Sequence, residues 1–184
     1  ADLIAAAKRA PGQVNYGSGG NGSPQHIAMA LCASQAGLQM QHVPYKGATQ
    51  ADTGTAAKEV QAGFQGIATV TSLVSAGKLR LVGVTTPRRL AQFPDVATVS
   101  ESGLQGFEFN SWFAIMAPAG TPKPVIQRLH RALIAVLASA EVKDKFAQYS
   151  AVAAPTTPEQ FSAYIKEELA RWQKVAQQAG VKPE

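Results

Sequence analysis

The chain has 184 residues, 46% of them hydrophobic and 16% charged, with a formal net charge of +5. This composition suits one proper core or two small lobes and excludes a disordered tail. The 17 basic residues are scattered, with Lys8-Arg9 and Arg88-Arg89 the only adjacent pairs, which argues against nucleic acid as a partner.

Ala1-Asp2-Leu3-Ile4 begins in mid-pattern, as though a preceding N-cap had been cut away, and residues 1–10 do not read as a secretory signal. Val14 to Tyr16 opens a first strand. Tyr16-Gly17-Ser18-Gly19-Gly20-Asn21-Gly22-Ser23 then joins it to a helix through four glycines and no carboxylate. Such a backbone takes positive φ, presents bare N–H groups and faces the positive end of the helix that follows, so it is shaped to hold an anion. No acidic residue lies between Asp2 and Asp52, which makes the field there positive. Ser23 caps the helix, Pro24 sits just inside it, Ile27, Leu31 and Ser34 share a face, and Gly37 closes it. Cys32, the lone cysteine, falls among Met29, Leu31 and Ala33 as buried filler and can form no internal disulfide.

Gln39 to Pro44 predicts a second strand, Gly47 to Ala57 a loop and short helix, Val60 to Phe64 a third strand, Thr69 to Ala76 a helix, and Leu79 to Thr85 a compact apolar strand. Residues 87–105 are turn-rich, and Phe107 to Ala117 reads as extended. Strands alternating with helices predict an α/β fold with a mainly parallel sheet. From Thr121 three helical patterns follow one another: Thr121-Pro122 starts a stripe of Val125, Leu129, Leu133 and Val136, and Ser139 starts one of Val142, Phe146 and Tyr149. Thr157-Pro158-Glu159-Gln160 is a capping box before Phe161, Ile165, Leu169, Trp172 and Val175, with Gly180 as the stop ahead of Pro183. Glu167 and Glu168, both near Arg171, read as a solvated, salt-bridged face.

Gly17, Gly19 and Gly22 satisfy GxGxxG, but the second strand ends Val43-Pro44-Tyr45, where a dinucleotide site requires an acid for the ribose. A small dinucleotide-binding enzyme is therefore the alternative reading. No serine-nucleophile elbow exists, and His26, His42 and His130 lack metal spacing, so neither catalytic residues nor a metal or cofactor is predicted. His26 either faces the anion or bonds to backbone; His42 reads as structural.

Several segments come in a specific order: Tyr16 to Ser23 with His26-Ile27-Ala28, His42-Val43-Pro44-Tyr45-Lys46-Gly47, Ser75-Ala76-Gly77-Lys78-Leu79-Arg80, and Phe93-Pro94-Asp95-Val96-Ala97-Thr98-Val99. Ser111-Trp112-Phe113, Ala117-Pro118-Ala119-Gly120-Thr121-Pro122 and Ala179-Gly180-Val181-Lys182-Pro183-Glu184 complete the series. Together they resemble the periplasmic solute-binding proteins of tripartite tricarboxylate transporters, the Bug or TctC family, over essentially the whole chain. The resemblance implies a type II periplasmic-binding-protein fold, a two-lobed clamshell that captures a small organic carboxylate and delivers it to a membrane permease without chemistry. It further implies that residues 10–110 form the second, ligand-binding lobe and that 118–184 are a helical return to a first lobe. By the same comparison that lobe's opening segment, of roughly a hundred residues, is expected to be missing from this chain.

By the same resemblance Ser18, Gly19, Gly20, Gly22 and Ser23 grip one carboxylate through backbone amides, with His26 beside them. Tyr45 and Lys46 stand at the sheet end where ligands gather. Lys46 either pairs with a carboxylate or is solvated, and Trp112 either lines the cleft or packs in a core. Gln65 replaces the aspartate that usually follows Phe64 in the family, which disfavours a ligand amine. The helices of the last third, deprived of a sheet, are expected to pair with a second copy.

Overall fold

The computed structural model describes residues 2–178, 180 and 181. Ala1, Ala179, Lys182, Pro183 and Glu184, on which parts of the terminal readings fall, lie outside the described residues. Two compact units divide the chain: residues 1–111 with 172–184, and residues 112–171.

The first unit opens with α1 (Asp2–Arg9) and alternates β1 (Asn15–Ser18), α2 (Pro24–Ala36), β2 (Gln41–Pro44), α3 (Ala48–Ala56), β3 (Ala62–Gly63) and α4 (Ile67–Ser75). The three strands form a parallel sheet in the order β2-β1-β3, with Tyr16 opposite both His42 and Ala62. The alternation of short strands and helices in the sequence thus folds as the α/β class it predicts. Parallel neighbours cannot be joined by a tight turn, so each connection carries a helix. Consequently α2, α3 and α4 all begin just beyond the same C-terminal edge of the sheet, the usual ligand end of an open α/β fold.

Local chemistry sets the helix ends. Ser23 Oγ accepts the His26 N–H at 3.3 Å, and at the other end Gly37 (φ 61°) lets Leu38 N–H reach the Ala33 carbonyl at 2.8 Å. Of α2, Ala28, Met29, Leu31 and Cys32 are buried, a broader face than the predicted Ile27, Leu31 and Ser34. Ala28, Leu31 and Cys32 meet Leu104, Phe107 and Phe109, with Ile4, Phe64, Trp172 and Val175 packed around them. Burial pushes the Cys32 thiol up to about 11, consistent with inert filler.

Two extended predictions are corrected. Residues 79–85 make no strand among the described residues: Val84 makes a single parallel bridge with Thr98, the Thr85 carbonyl accepts the Phe109 N–H at 3.2 Å, and Val82 is 49% exposed. The apolar run has strand propensity but lacks the hydrogen-bonded neighbours that a buried strand requires. Residues 107–117 are irregular as well; Phe107 and Phe109 are buried, whereas Phe113 is 99% exposed.

The second unit holds α5 (Lys123–Ala138), α6 (Ala140–Gln148) and most of α7 (Pro158–Gln178). The boundary between units falls inside α7, so Trp172 and Val175 belong to the first. The capping box closes reciprocally, Gln160 N–H donating to Thr157 Oγ1 at 3.2 Å and Thr157 N–H to Gln160 Oε1 at 2.9 Å. Ser139 caps α6 through the Val142 N–H at 3.4 Å, but Thr121 caps nothing; its hydroxyl donates to the Pro118 carbonyl. Glu168 corrects the solvated reading. It is 6% exposed, accepts the Trp112 indole N–H at 3.1 Å and Arg171 at 3.3 Å, so Trp112 packs within this unit, edge-on to Phe161 and Tyr164.

Candidate functional site

The residues between Ser18 and Ser23 form an internally braced bend at the C-terminal end of β1. Ser18 Oγ donates to the Gly20 carbonyl at 3.0 Å and accepts the Gly20 N–H at 3.2 Å; Ser23 N–H returns to the Gly20 carbonyl at 3.2 Å. Gly22 N–H donates to His26 Nδ1 at 3.1 Å, so His26 takes the backbone-bonded role. Of the amides predicted to grip an anion, those of Gly20, Gly22 and Ser23 are thus engaged within the bend. Gly19 N–H takes no internal partner among the described residues.

Gly19 is also where the bend meets a second helix start. A Cβ placed there would stand 3.0 Å from Ala48 N and 3.2 Å from Gly47 C, so any side chain at this position would push the start of α3 back by a few tenths of an ångström. Gly47 (φ 123°) caps α3 without any side-chain bond, leaving the first-turn amides of Ala48, Thr49 and Gln50 open. The Gly19 backbone and the α3 first turn therefore lie side by side, near the positive ends of two helix dipoles and in a stretch without acidic residues.

The remaining predicted residues divide. Lys46 is exposed beside this edge, its backbone N–H donating to Gln50 Oε1 at 3.1 Å. Tyr45 turns away: its ring packs over Gly17 and Gly54 and its hydroxyl donates to Glu59 at 2.9 Å. It lines a shallow depression of about 320 Å³ along α3 that includes none of the glycine bend. Gln65 also turns inward; with its amide turned so that both ends find partners, the nitrogen donates to Asp52 Oδ1 at 2.6 Å and to the Phe64 carbonyl at 3.3 Å.

Asp52 is a residue to which sequence reasoning assigned no role. Its residue is 3% exposed, its Oδ2 has no hydrogen-bond partner, and burial raises its carboxyl above the ordinary range. A raised folded pKa means that the native state favours the protonated acid. Its contribution to stability is present below the unfolded value of about 3.9 and is lost as pH rises through the folded value. Asp52→Asn keeps an acceptor for Gln65 and removes the charge. Thermal unfolding is expected to show a gain of about 1 kcal/mol, or about 2–4 °C, at pH 7 and none at pH 3; a loss at pH 7 would contradict the assignment.

Among the described residues no group of three or more His, Cys, Asp or Glu side chains is placed to hold a metal ion, and no helix is long and apolar enough to cross a membrane.

Comparison with known proteins bears on the family and the fold. Residues 1–181 match the family model described as tripartite tricarboxylate transporter family receptor. A Pseudomonas protein of the tcbD-tcbE intergenic region is 34% identical over 174 residues, covering 94% of this chain and 52% of the relative. BugT of Bordetella pertussis is 32% identical over 180 residues, covering 98% and 55%. The chain thus spans about half the length of these curated relatives. Among solved structures, R. palustris Rpa4515 with adipate superposes with a TM-score of 0.94 at 31% identity, covering all of this chain and 61% of that one. The periplasmic binding protein BugD gives 0.87 at 28% identity. The fold is therefore that of the Bug and TctC periplasmic binding proteins. On the match across nearly its whole length, this chain belongs to the tripartite tricarboxylate transporter receptor family.

Proposed function

We propose that this chain supplies the carboxylate-holding part of a periplasmic solute receptor, which captures a small dicarboxylate and delivers it to a tripartite transporter's membrane permease without catalysing a reaction. The observation that carries this reading is the pairing of Gly19 with the uncapped first turn of α3. Peptide N–H groups at helix starts suit an anionic oxygen. A relative of the same fold was solved with adipate, a six-carbon dicarboxylate. The dinucleotide alternative has less support, because β2 ends in Pro44-Tyr45 rather than an acid and the Gly22 amide is already bonded to His26.

Charge-assisted hydrogen bonds contribute about 1.5–3 kcal/mol each, so three give roughly 5–9 kcal/mol, while association costs about 4–15 kcal/mol. The expected affinity of this site by itself is millimolar, which corresponds to about 4 kcal/mol. Titration of the ¹⁵N-labelled chain is expected to shift the Gly19, Ala48 and Thr49 amide resonances with adipate, with NAD having no effect there. Shifts caused by NAD alone would favour the alternative, and silence from both would remove the binding reading. Self-association is part of the proposal, supported by the exposed Val125, Leu129 and Val136 of α5. Translational diffusion in the same samples checks it, and a monomer's coefficient at millimolar protein would end it.

A further inference from the structure

Two imidazoles lie face to face beside the glycine bend. His26 of α2 and His42 of β2 stack with ring centres 3.7 Å apart and planes 8° from parallel, and Tyr16 of β1 stacks on His42 at 5.0 Å. The β1–β2 register brings them together by setting Tyr16 opposite His42.

Each ring holds a different part of the bend. His26 Nδ1 accepts the Gly22 N–H, which puts the ring proton on Nε2. At the other end His42 Nε2 meets Ser18 Oγ at 2.6 Å; because that hydroxyl donates to the Gly20 carbonyl, His42 is the donor. Ser18 is fully buried, so its three partners define its position. Gly20 (φ 126°) and Gly22 (φ 68°) occupy left-handed backbone space, where no regular ladder holds them. These side-chain bonds do so instead.

We propose that the stacked His26–His42 pair is a positioning device for the anion site: two neutral imidazoles pin Ser18–Gly20 and Gly22, and so fix the Gly19 amide against the first turn of α3. The proposal rests on the carboxylate-binding reading above. Burial favours the neutral rings, lowering His26 and, together with the neighbouring His26, holding His42 down to about 4. Among the described residues, the titratable groups facing the pair are the two histidines themselves and Tyr16, whose hydroxyl burial pushes up to about 12, and no carboxylate contributes to either histidine's shift. Protonating His26 sets a second donor against the Gly22 N–H and adds positive charge to the first turn of α2, where the helix dipole already opposes it. The bend is then released.

The test follows the Gly19 and Gly22 amides and the histidine ring nitrogens by ¹⁵N NMR from pH 4 to 8, with and without adipate. It compares the parent with His26→Asn, whose amide oxygen restores an acceptor that does not titrate, and with His26→Phe, which keeps a stacking face and loses the acceptor. In the parent, Gly22 is expected to shift with the midpoint of His26, and adipate affinity to fall about tenfold or more below that midpoint. His26→Asn is expected to bind within about threefold of the parent at pH 7.5 and to keep only the acid-side fall that adipate's own protonation imposes, the parent falling further; His26→Phe is expected to bind about tenfold more weakly at pH 7.5. A Gly22 resonance indifferent to His26, parent-like binding by His26→Phe, or affinity that rises in acid would each overturn the proposal. If Gly22 follows His26 while adipate shifts nothing at any pH, the clamp stands and the carboxylate reading falls.

Discussion

A valine at Gly19 is expected to weaken dicarboxylate binding by about tenfold or more, equivalent to at least about 1.4 kcal/mol, so that adipate no longer shifts the Ala48 and Thr49 amides at concentrations that saturate the parent. The obstacle is backbone rather than a yielding side chain: even a lone Cβ would stand 3.0 Å from Ala48 N and 3.2 Å from Gly47 C. The added methyl groups must drive the bend and the start of α3 apart, with an overpacking penalty of about 1–3 kcal/mol. Separation misaligns the amides that we propose share one carboxylate. Parallel NMR titration and thermal unfolding check both effects. A valine variant that gives the parent's shift pattern with adipate would show that these amides do not act together.

Phe107→Ala is expected to destabilise the first unit by about 3–5 kcal/mol, lowering Tm by about 6–20 °C. Phe107 is 2% exposed, stacks 6.0 Å from Phe64, and belongs to the cluster in which Phe109 meets Trp172 at 4.8 Å. Its removal opens a cavity among side chains from α2, from the irregular segment that follows Leu104, and from α7. Phe113, six positions further along the same predicted run, is 99% exposed. Phe113→Ala is expected to change stability by no more than about 0.5 kcal/mol. Equal losses in the two variants would contradict this account of the core.

What was legible in the sequence is what local geometry enforces. A cap joins residues two or three apart, so Ser23 and the Thr157/Gln160 box could be read directly, and both make the expected bonds. Parallel strands were legible from apolar segments alternating with helices. Contacts set by register or by distant chain were not. Glu168 lies one helical turn from Arg171, which the spacing reveals, but its burial depends on Trp112, 56 residues away. Nothing in the spacing of His26 and His42 announces that their rings stack; the only signal is that each lies one element from the glycine bend. The 79–85 run carried the composition of a strand without the neighbours to pair with. Gln65 and Asp52 are 13 positions apart, and only the fold of β3 against α3 joins them.

Gly47 has a wider consequence. Because it contributes nothing beyond its main chain, the surface that follows is written in peptide groups, which neither oxidise nor titrate and which only a change to proline can delete. Side chains around it can therefore be exchanged widely without loss of those donors, provided that proline stays out of the first turn of α3.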